Sequence, residues 1–303
     1  MTTKSAHLYT ERKHDAVLFF DVSDGNPNGD PDAGNLPRVD PETMEGLVTD
    51  VSIKRKVRNW IDASRGNEER FKIYVQTEHA LNTLHQRAYT HLGIKSTGSK
   101  QKREEIASVR DWMCQNFFDI RTFGAVMTTG VNAGQVRGPV QLTFARSIHP
   151  IVPLDISITR TAVTKPEDMK VAAEEGEEGK GKTSEMGRKP FVPYGLYRAH
   201  IFVNPHFAAQ TGFDNDDLAI FWEALGRMWD LDRSASRGLM ACRGLFVFSH
   251  ESPLGNAPAH RLFERVTAHL IDEKKPPRRF TDYKIDFDDN DLPPGVSVTQ
   301  VDC

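Results

Sequence analysis

Three stretches carry residues whose types and spacing suit chemistry. The first is IKRKVRN, where Lys54, Arg55, Lys56 and Arg58 fall within five positions. Such a run is ordinarily the solvated face of an amphipathic helix. It also suits a helix that tracks phosphates, because cations grip a sugar-phosphate backbone whatever its base sequence. The four cations are expected to lack acidic partners. The second stretch is DIRTFGAVMTTGVNAGQVRGPVQLTFARS, punctuated by Gly124, Gly130, Gly134 and Gly138. Glycines let backbone amides approach a phosphate closely. Arg121 and Arg137 bracket the glycines, and Asn132 and Gln135 add hydrogen-bonding side chains. The bland alternative is a Gly-rich connector with ordinary surface arginines. No spacing here matches a P-loop, and the Walker lysine is missing.

The third stretch is DGNPNGDPDAGN, Asp24 to Asn35, which nearly spells a calcium loop. Asp24, Asn26 and Asn28 take positions one, three and five, and Gly29 takes position six. Position twelve is Asn35 where a bidentate Glu is needed, and the flanking helices are absent. The composition fits a surface turn better. A metal-dependent nuclease built on Asp24, Asp30 and Asp32 is the enzymatic alternative. The loop has no nearby His or Glu to serve as a base. The eleven histidines show no H-E-x-x-H spacing, and no G-x-S-x-G occurs.

Composition narrows the class. A chain of 303 residues can bury a substantial core. Lys and Arg number 39 against 42 Asp and Glu, a formal net charge of −3, so no global basic excess points to nucleic acid. The charge is segregated instead. Leu47 to Arg65 holds five basic and two acidic residues, whereas Thr281 to Cys303 holds six Asp and one Lys. A local anion-binding face is therefore compatible with the near-neutral whole. Cys114, Cys242 and Cys303 form no C-x-x-C, so neither a disulfide framework nor a zinc ribbon is expected, and a reduced cytoplasm fits. MTTKSAHLYTERKHD lacks the apolar core of a signal peptide. No apolar run approaches the ~18 residues of a membrane span.

The positioning elements follow from periodicity. Ala16 to Val22 (AVLFFDV) reads as a buried strand. Thr49 or Asp50 caps a helix whose apolar face is Ile53, Val57, Trp60 and Ile61. Phe71 to Gln76 alternates like a strand, and His79–Leu92 and Glu104–Phe118 read as helices. Residues 137–145 alternate like a half-buried strand. Asp155 to Val163 is extended. Lys165 to Arg188 loses its hydrophobic pattern, and its centre, AAEEGEEGKGKTSEMG, is expected to be mobile. Leu196 to Val203 is a strand, and Asp214 caps a helix striped by Leu218, Phe221, Trp222, Leu225, Met228 and Trp229. Gly244 to Phe248 is a strand and His260 to Leu270 a helix. Tyr283–Phe287 and Val296–Val298 suggest a terminal hairpin. The strong elements run β-α-β-β-α-β, the order of an α+β ferredoxin-like or RRM-like fold.

FFDVSDGNPNGDPDAGNLPRVDPET, GLVTDVSIKRKVRNW, FFDIRTFGAVMTTGVNAGQVRGPVQLTFARSI, MGRKPFVPYGLYRAH and HESPLGNAPAHRLFERV occur in that order. Together they resemble the backbone subunit of type I-C CRISPR Cascade surveillance complexes, the Cas-seven family of the RAMP superfamily. The resemblance covers about Asp15 to Val266 and implies a single domain on an RRM-like palm. Helical fingers would be inserted at about 71–118 and a thumb hairpin at about 160–194, with an acidic extension over about 271–303. It implies a cytoplasmic, non-catalytic RNA-binding protein with no cofactor. Its partners would be CRISPR guide RNA, further copies of itself, capping, large and small Cascade subunits, and the target DNA strand; no membrane is implied. Lys54, Arg55 and Arg58 match the palm helix that holds guide phosphates. Thr128 to Arg137 matches the loop lining the same groove. Met186, Arg188 and Lys189 fall in the thumb, which folds over the RNA and displaces a base at intervals.

Overall fold

The computed structural model describes residues 3–77, 79–162, 164 and 185–303. In chain order the first half comprises β1 (His14–Gly25), β2 (Gly29–Asp30), β3 (Leu36–Pro37), β4 (Glu45–Val48), α1 (Asp50–Arg65), α2 (Leu81–His91), α3 (Arg103–Asn116) and α4 (Phe118–Phe123). Next come β5 (Gly124–Thr128), β6 (Asn132–Arg137), β7 (Val140–Leu142), β8 (Ala145–Pro150), β9 (Leu154–Arg160) and β10 (Glu185–Val203). The remainder is α5 (Pro205–Thr211), α6 (Asn215–Leu231), β11 (Leu239–His250), α7 (Ala259–Phe263), β12 (Val266–Leu270), β13 (Tyr283–Phe287) and β14 (Val296–Val301). The sequence stretch expected to be mobile lies largely outside the described residues.

The fold is mixed α+β around a central antiparallel sheet, ordered β14-β11-β1-β10-β8-β4, with β7 and β9 also pairing along β10. β1 lies at its centre and is buried from His14 to Val22. Its unbroken apolar run has a physical cause: both faces of the strand are covered. Ala16, Leu18, Phe20 and Val22 pack under α1 and α6 with Ile53, Val57, Leu218, Phe221 and Leu225. Val17 and Phe19 face the other way, joining Leu196, Phe246, Phe248, Phe263, Val266 and Tyr283 beneath α7, β12 and β13. A further core forms away from the sheet, where Leu84 and Tyr89 of α2, Val109 and Met113 of α3, and Phe117 just beyond it pack on Met127 and Ala133.

The structure corrects several expectations. Phe71 to Gln76 is no strand but a 3-10 turn followed by irregular chain. The Asp119 carboxylate accepts the amides of Tyr74 (2.8 Å) and Val75 (3.1 Å), doing what a neighbouring strand would do. The helix over 104–118 breaks at Phe117, which takes φ −117° and ψ 112°. The strand over 137–145 is three pieces, interrupted at Gly138–Pro139 and again before Ala145. Proline cannot donate to a ladder. A Cβ on Gly138 would stand 2.3 Å from the amide nitrogen of Gly124, so only glycine fits there. The helix over 260–270 ends at Phe263, and Val266–Leu270 pairs instead with Tyr283–Phe287. The terminal hairpin does not form, because Val296–Val301 pairs with β11. Cys242 and Cys303 are disulfide-paired, contrary to expectation, and Cys114 is free and buried. Among the described residues no helix is long and apolar enough to cross a membrane.

Candidate nucleic-acid interface

The local order of α1 begins in the Asn-rich loop. Asn28 Oδ1 accepts both the amide and the hydroxyl of Thr49 at 2.9 Å. Thr49 in turn caps the helix by accepting the Ser52 amide at 3.3 Å. The side-chain amide of Asn26 donates to the Asn35 carbonyl at 2.7 Å, closing the loop on itself. Asp30 accepts the Asp32 amide at 3.2 Å and lies 3.4 Å from Arg38. The loop is thus a splint for the start of α1. Among the described residues no three His, Cys, Asp or Glu side chains gather as a metal site would need.

The basic run on α1 is largely neutralised, contrary to expectation. Lys54 Nζ lies 2.9 Å from Asp50, one turn back. Arg58 Nε lies 2.7 Å from Asp119. Lys56 is buried against Asp232, and burial lowers its ammonium pKa while Asp232 opposes that shift. Arg55, half-buried, makes no ion pair among the described residues. Lys54 and Arg58 also lie over one ring, that of Phe123, at 5.5 and 5.3 Å from its centroid.

Phe123 joins this helix to the second stretch. Gly124 follows it at φ +83° and pairs in register with Arg137. Thr128 to Arg137 therefore lies in an antiparallel hairpin, not the open loop that was expected. Many of its amides are engaged across the hairpin rather than bare. Val126 pairs with Gln135, and both are exposed, as are Thr128 and Arg137. Met127 and Ala133 turn inward to the α2–α3 core. Asn132 is used by the turn itself, its Oδ1 accepting the Gly134 amide at 2.9 Å. The Arg137 guanidinium lies 4.4 Å from the Phe207 ring centroid and has no acidic partner among the described residues.

Arg121 does not line a groove. It is fully buried and holds Asp217 bidentately, through Nε at 2.8 Å and Nη2 at 2.7 Å. Nη1 donates to the Arg70 carbonyl at 2.6 Å. Its task is to fasten α4 to the N-terminal turn of α6. Met186, Arg188 and Lys189 sit on a separate element, the hairpin of β9 with the start of β10. Met186 is 77% exposed, and Arg188 lies 3.0 Å from Asp155. The Ala172–Lys182 centre of the expected thumb lies outside the described residues.

The structure thus brings Lys54 and Arg58 together over Phe123, sets Arg137 opposite the next residue, Gly124, with its guanidinium over Phe207, and leaves Arg121 out. Sequence reasoning missed Phe123 and Phe207 as partners of the cations, and Asp119 and Asp217 as their anchors. FFDIRTF held a usable signal, since acid, base and aromatic residues are interleaved there at less than one helical turn.

Comparison with known proteins follows this geometry. The family model described as CRISPR-associated protein Cas7 matches residues 12–288. A CRISPR-associated protein Cas7 of Haloferax volcanii is 24% identical over 239 residues, which is 72% of this chain. That match spans 65% of the relative's own length, just under two thirds. A chain of a CRISPR RNA-guided surveillance complex in its pre-nicking state superposes with a TM-score of 0.50, covering 78% of each chain at 14% identity. This likeness is one of fold.

Proposed function

The chain belongs to the Cas7 family of CRISPR-associated proteins, and from that premise we propose that it is a non-catalytic, sequence-independent guide-RNA-binding backbone subunit. It oligomerises along the RNA and presents the bases for pairing with target DNA in antiviral defence. The observation that carries this reading is the junction at Phe123. There Lys54 and Arg58 of α1 meet the hairpin that displays Arg137, Gln135 and Thr128. These groups make a polar ridge suited to a sugar-phosphate backbone, its net positive charge coming from Arg55 and Arg137, since Lys54 and Arg58 are paired with Asp50 and Asp119. Arg188 and Lys189, with the exposed Met186, act from the thumb.

The order β11-β1-β10 followed by β7 and β8, with α1 and α6 on one face, supports a ferredoxin-like, RRM-like palm. On that palm the fingers span about 71–118, the thumb about 160–194 and the acidic extension about 271–303. The quoted motifs support the type I-C subtype. Capping, large and small subunits then complete a cytoplasmic assembly around guide and target strands.

The mechanism is positional. Holding a guide by its phosphates costs no sequence preference, which any spacer requires. Base pairing reads the target, as in other RNA-guided effectors. A strand ordered in advance loses less entropy on pairing. Head-to-tail contacts that do not close generate a helical row.

Electron microscopy of the purified chain with single-stranded RNA and magnesium tests the reading. Regular rows on intact RNA are expected. Isolated particles, or RNA cut in a magnesium-dependent way, would overturn it.

A further inference from the structure

The C-terminal extension is not uniformly acidic. Lys274 to Arg279, in the turn between β12 and β13, holds four cations and no acid. Asp286 to Asp291, where β13 ends, holds four acids and no cation. β12 and β13 pair in register from Val266 with Phe287 to Leu270 with Tyr283. The two charged segments therefore stand about 14 Å apart, at opposite ends of one ribbon. A cavity of about 580 Å3 opens at the cationic end, its lining including Ile271, Lys275, Pro276, Arg278 and Arg279. We infer that this cavity is a socket for the acidic loop of a second copy of the chain, set head to tail. The inference deepens the backbone-subunit reading and rests on it.

Each end keeps charge that its own chain does not neutralise. In the turn, Asp272 lies 3.2 Å from Lys275 and Asp282 lies 3.5 Å from Arg279. Asp282 also accepts the amides of Arg278 and Arg279, so its task is to fold the turn. Lys274 and Arg278 are exposed and make no ion pair among the described residues. In the loop, Asp286 is paired with Lys284 and Asp288 lies 3.8 Å from Arg265. Asp289 and Asp291 are exposed and make no ion pair among the described residues. The ribbon holds the two sets farther apart than the screening length of about 8 Å, so they do not neutralise one another within one copy. Two copies placed end to end bring them into contact.

Both ends are held in shape. Arg265 donates to the Asn290 carbonyl at 2.6 Å and to the Asp291 carbonyl at 3.1 Å, ordering the acidic loop through its backbone. Pro276 and Pro277 stiffen the basic turn, and Arg243 lies 4.9 Å from the ring centroid of Phe280 at its base. Docking therefore orders little that is not already ordered. The charges favour protein over nucleic acid as the occupant. Asp272, Glu273 and Asp282 are interspersed with the cations and would repel a phosphate strand. The ribbon also covers the sheet face opposite α1, so the contact leaves the guide ridge free. A basic end meeting an acidic end is a heterologous contact that can repeat from copy to copy, and the opposite charges fix its direction.

Charge reversal and its rescue test the contact. The full chain is assembled on single-stranded RNA, rows are viewed by electron microscopy, and circular dichroism checks that each variant is folded. Lys274→Glu with Arg278→Glu, and separately Asp289→Lys with Asp291→Lys, should each shorten the rows. Each should also raise the protein concentration that fills the RNA about tenfold, the worth of about two exposed charge pairs. All four substitutions in one chain should restore wild-type rows, because the reversed ends again attract. A mixture of the two double variants should do the same, with copies alternating along the row. Rows unchanged in either double variant, or restored by neither combination, would overturn the inference while the backbone-subunit reading stands. A basic turn that held nucleic acid instead would give the second of these results, since changes in the acidic loop do not repair it. If the wild type forms no rows, both readings fall together.

Discussion

At the scale of single residues, two arginines that look alike in sequence have opposite fates. Arg121 and Arg137 bracket the same glycine-rich stretch. One is locked to Asp217, 96 residues away, with both side chains fully buried. The other is exposed over Phe207. Burial of an ion pair is costly unless further hydrogen bonds support it, and each Arg121 nitrogen has an acceptor, in Asp217 or in the Arg70 and Cys114 carbonyls. Truncating it leaves the Asp217 carboxylate buried with fewer partners. Arg121→Ala is expected to lower stability by about 3–5 kcal/mol, read as a shifted urea midpoint. A change within about 0.5 kcal/mol would show that the pair does not fasten α4 to α6. Nothing local in the sequence separates these two residues, because the deciding partner lies on another helix.

At the scale of elements, legibility followed the cause of each structure. β1 could be read from AVLFFDV because both faces of the strand are buried, leaving no polar alternation. α1 and α6 could be read from one apolar stripe and a capping residue each. Residues 71–76 could not, since their amides are satisfied by Asp119 rather than by a ladder. The strand over 266–270 was hidden because its partner, Tyr283–Phe287, lies beyond a basic, proline-containing turn. Of the candidate site, the cations and glycines were legible; their meeting at Phe123 was not, for it depends on how α4 enters the hairpin.

The start of β1 is also a seam between elements. His14 is fully buried; Nε2 donates to the Tyr9 carbonyl at 2.9 Å and Nδ1 accepts from Ser249 at 3.0 Å. Burial lowers its pKa from 6.5 to about 4. The unfolded chain therefore binds a proton between those values that the folded chain does not. Stability from this residue is full above pH 6.5 and is lost as the pH falls toward about 4. The loss is expected to reach about 3 kcal/mol over that window. Denaturant titrations at several pH values check it, and His14→Gln should flatten the profile. An equally steep profile in the variant would assign the loss elsewhere.

At the scale of the whole molecule, the sheet offers no open face at its centre. α1 and α6 cover one side, and α7, β12 and β13 cover the other. A nucleotide strand cannot stack on β1 without displacing a core. The proposed interface therefore lies off the sheet, along α1 and the hairpin, and draws its charge from the cations that the fold leaves unpaired. Among the described residues Arg55, Arg137 and Lys189 have no acidic partner. If these three neutralise about three phosphates per protomer, log affinity for single-stranded RNA falls with log salt at a slope of about −2. The central claim is tested most directly by measuring that slope for the wild type and for Arg55→Glu combined with Arg137→Glu, with the fold checked by circular dichroism. The account predicts a folded variant with weakened binding and a slope flatter by at least about one. Wild-type affinity that ignores salt, or a folded variant that binds like the wild type, would contradict it.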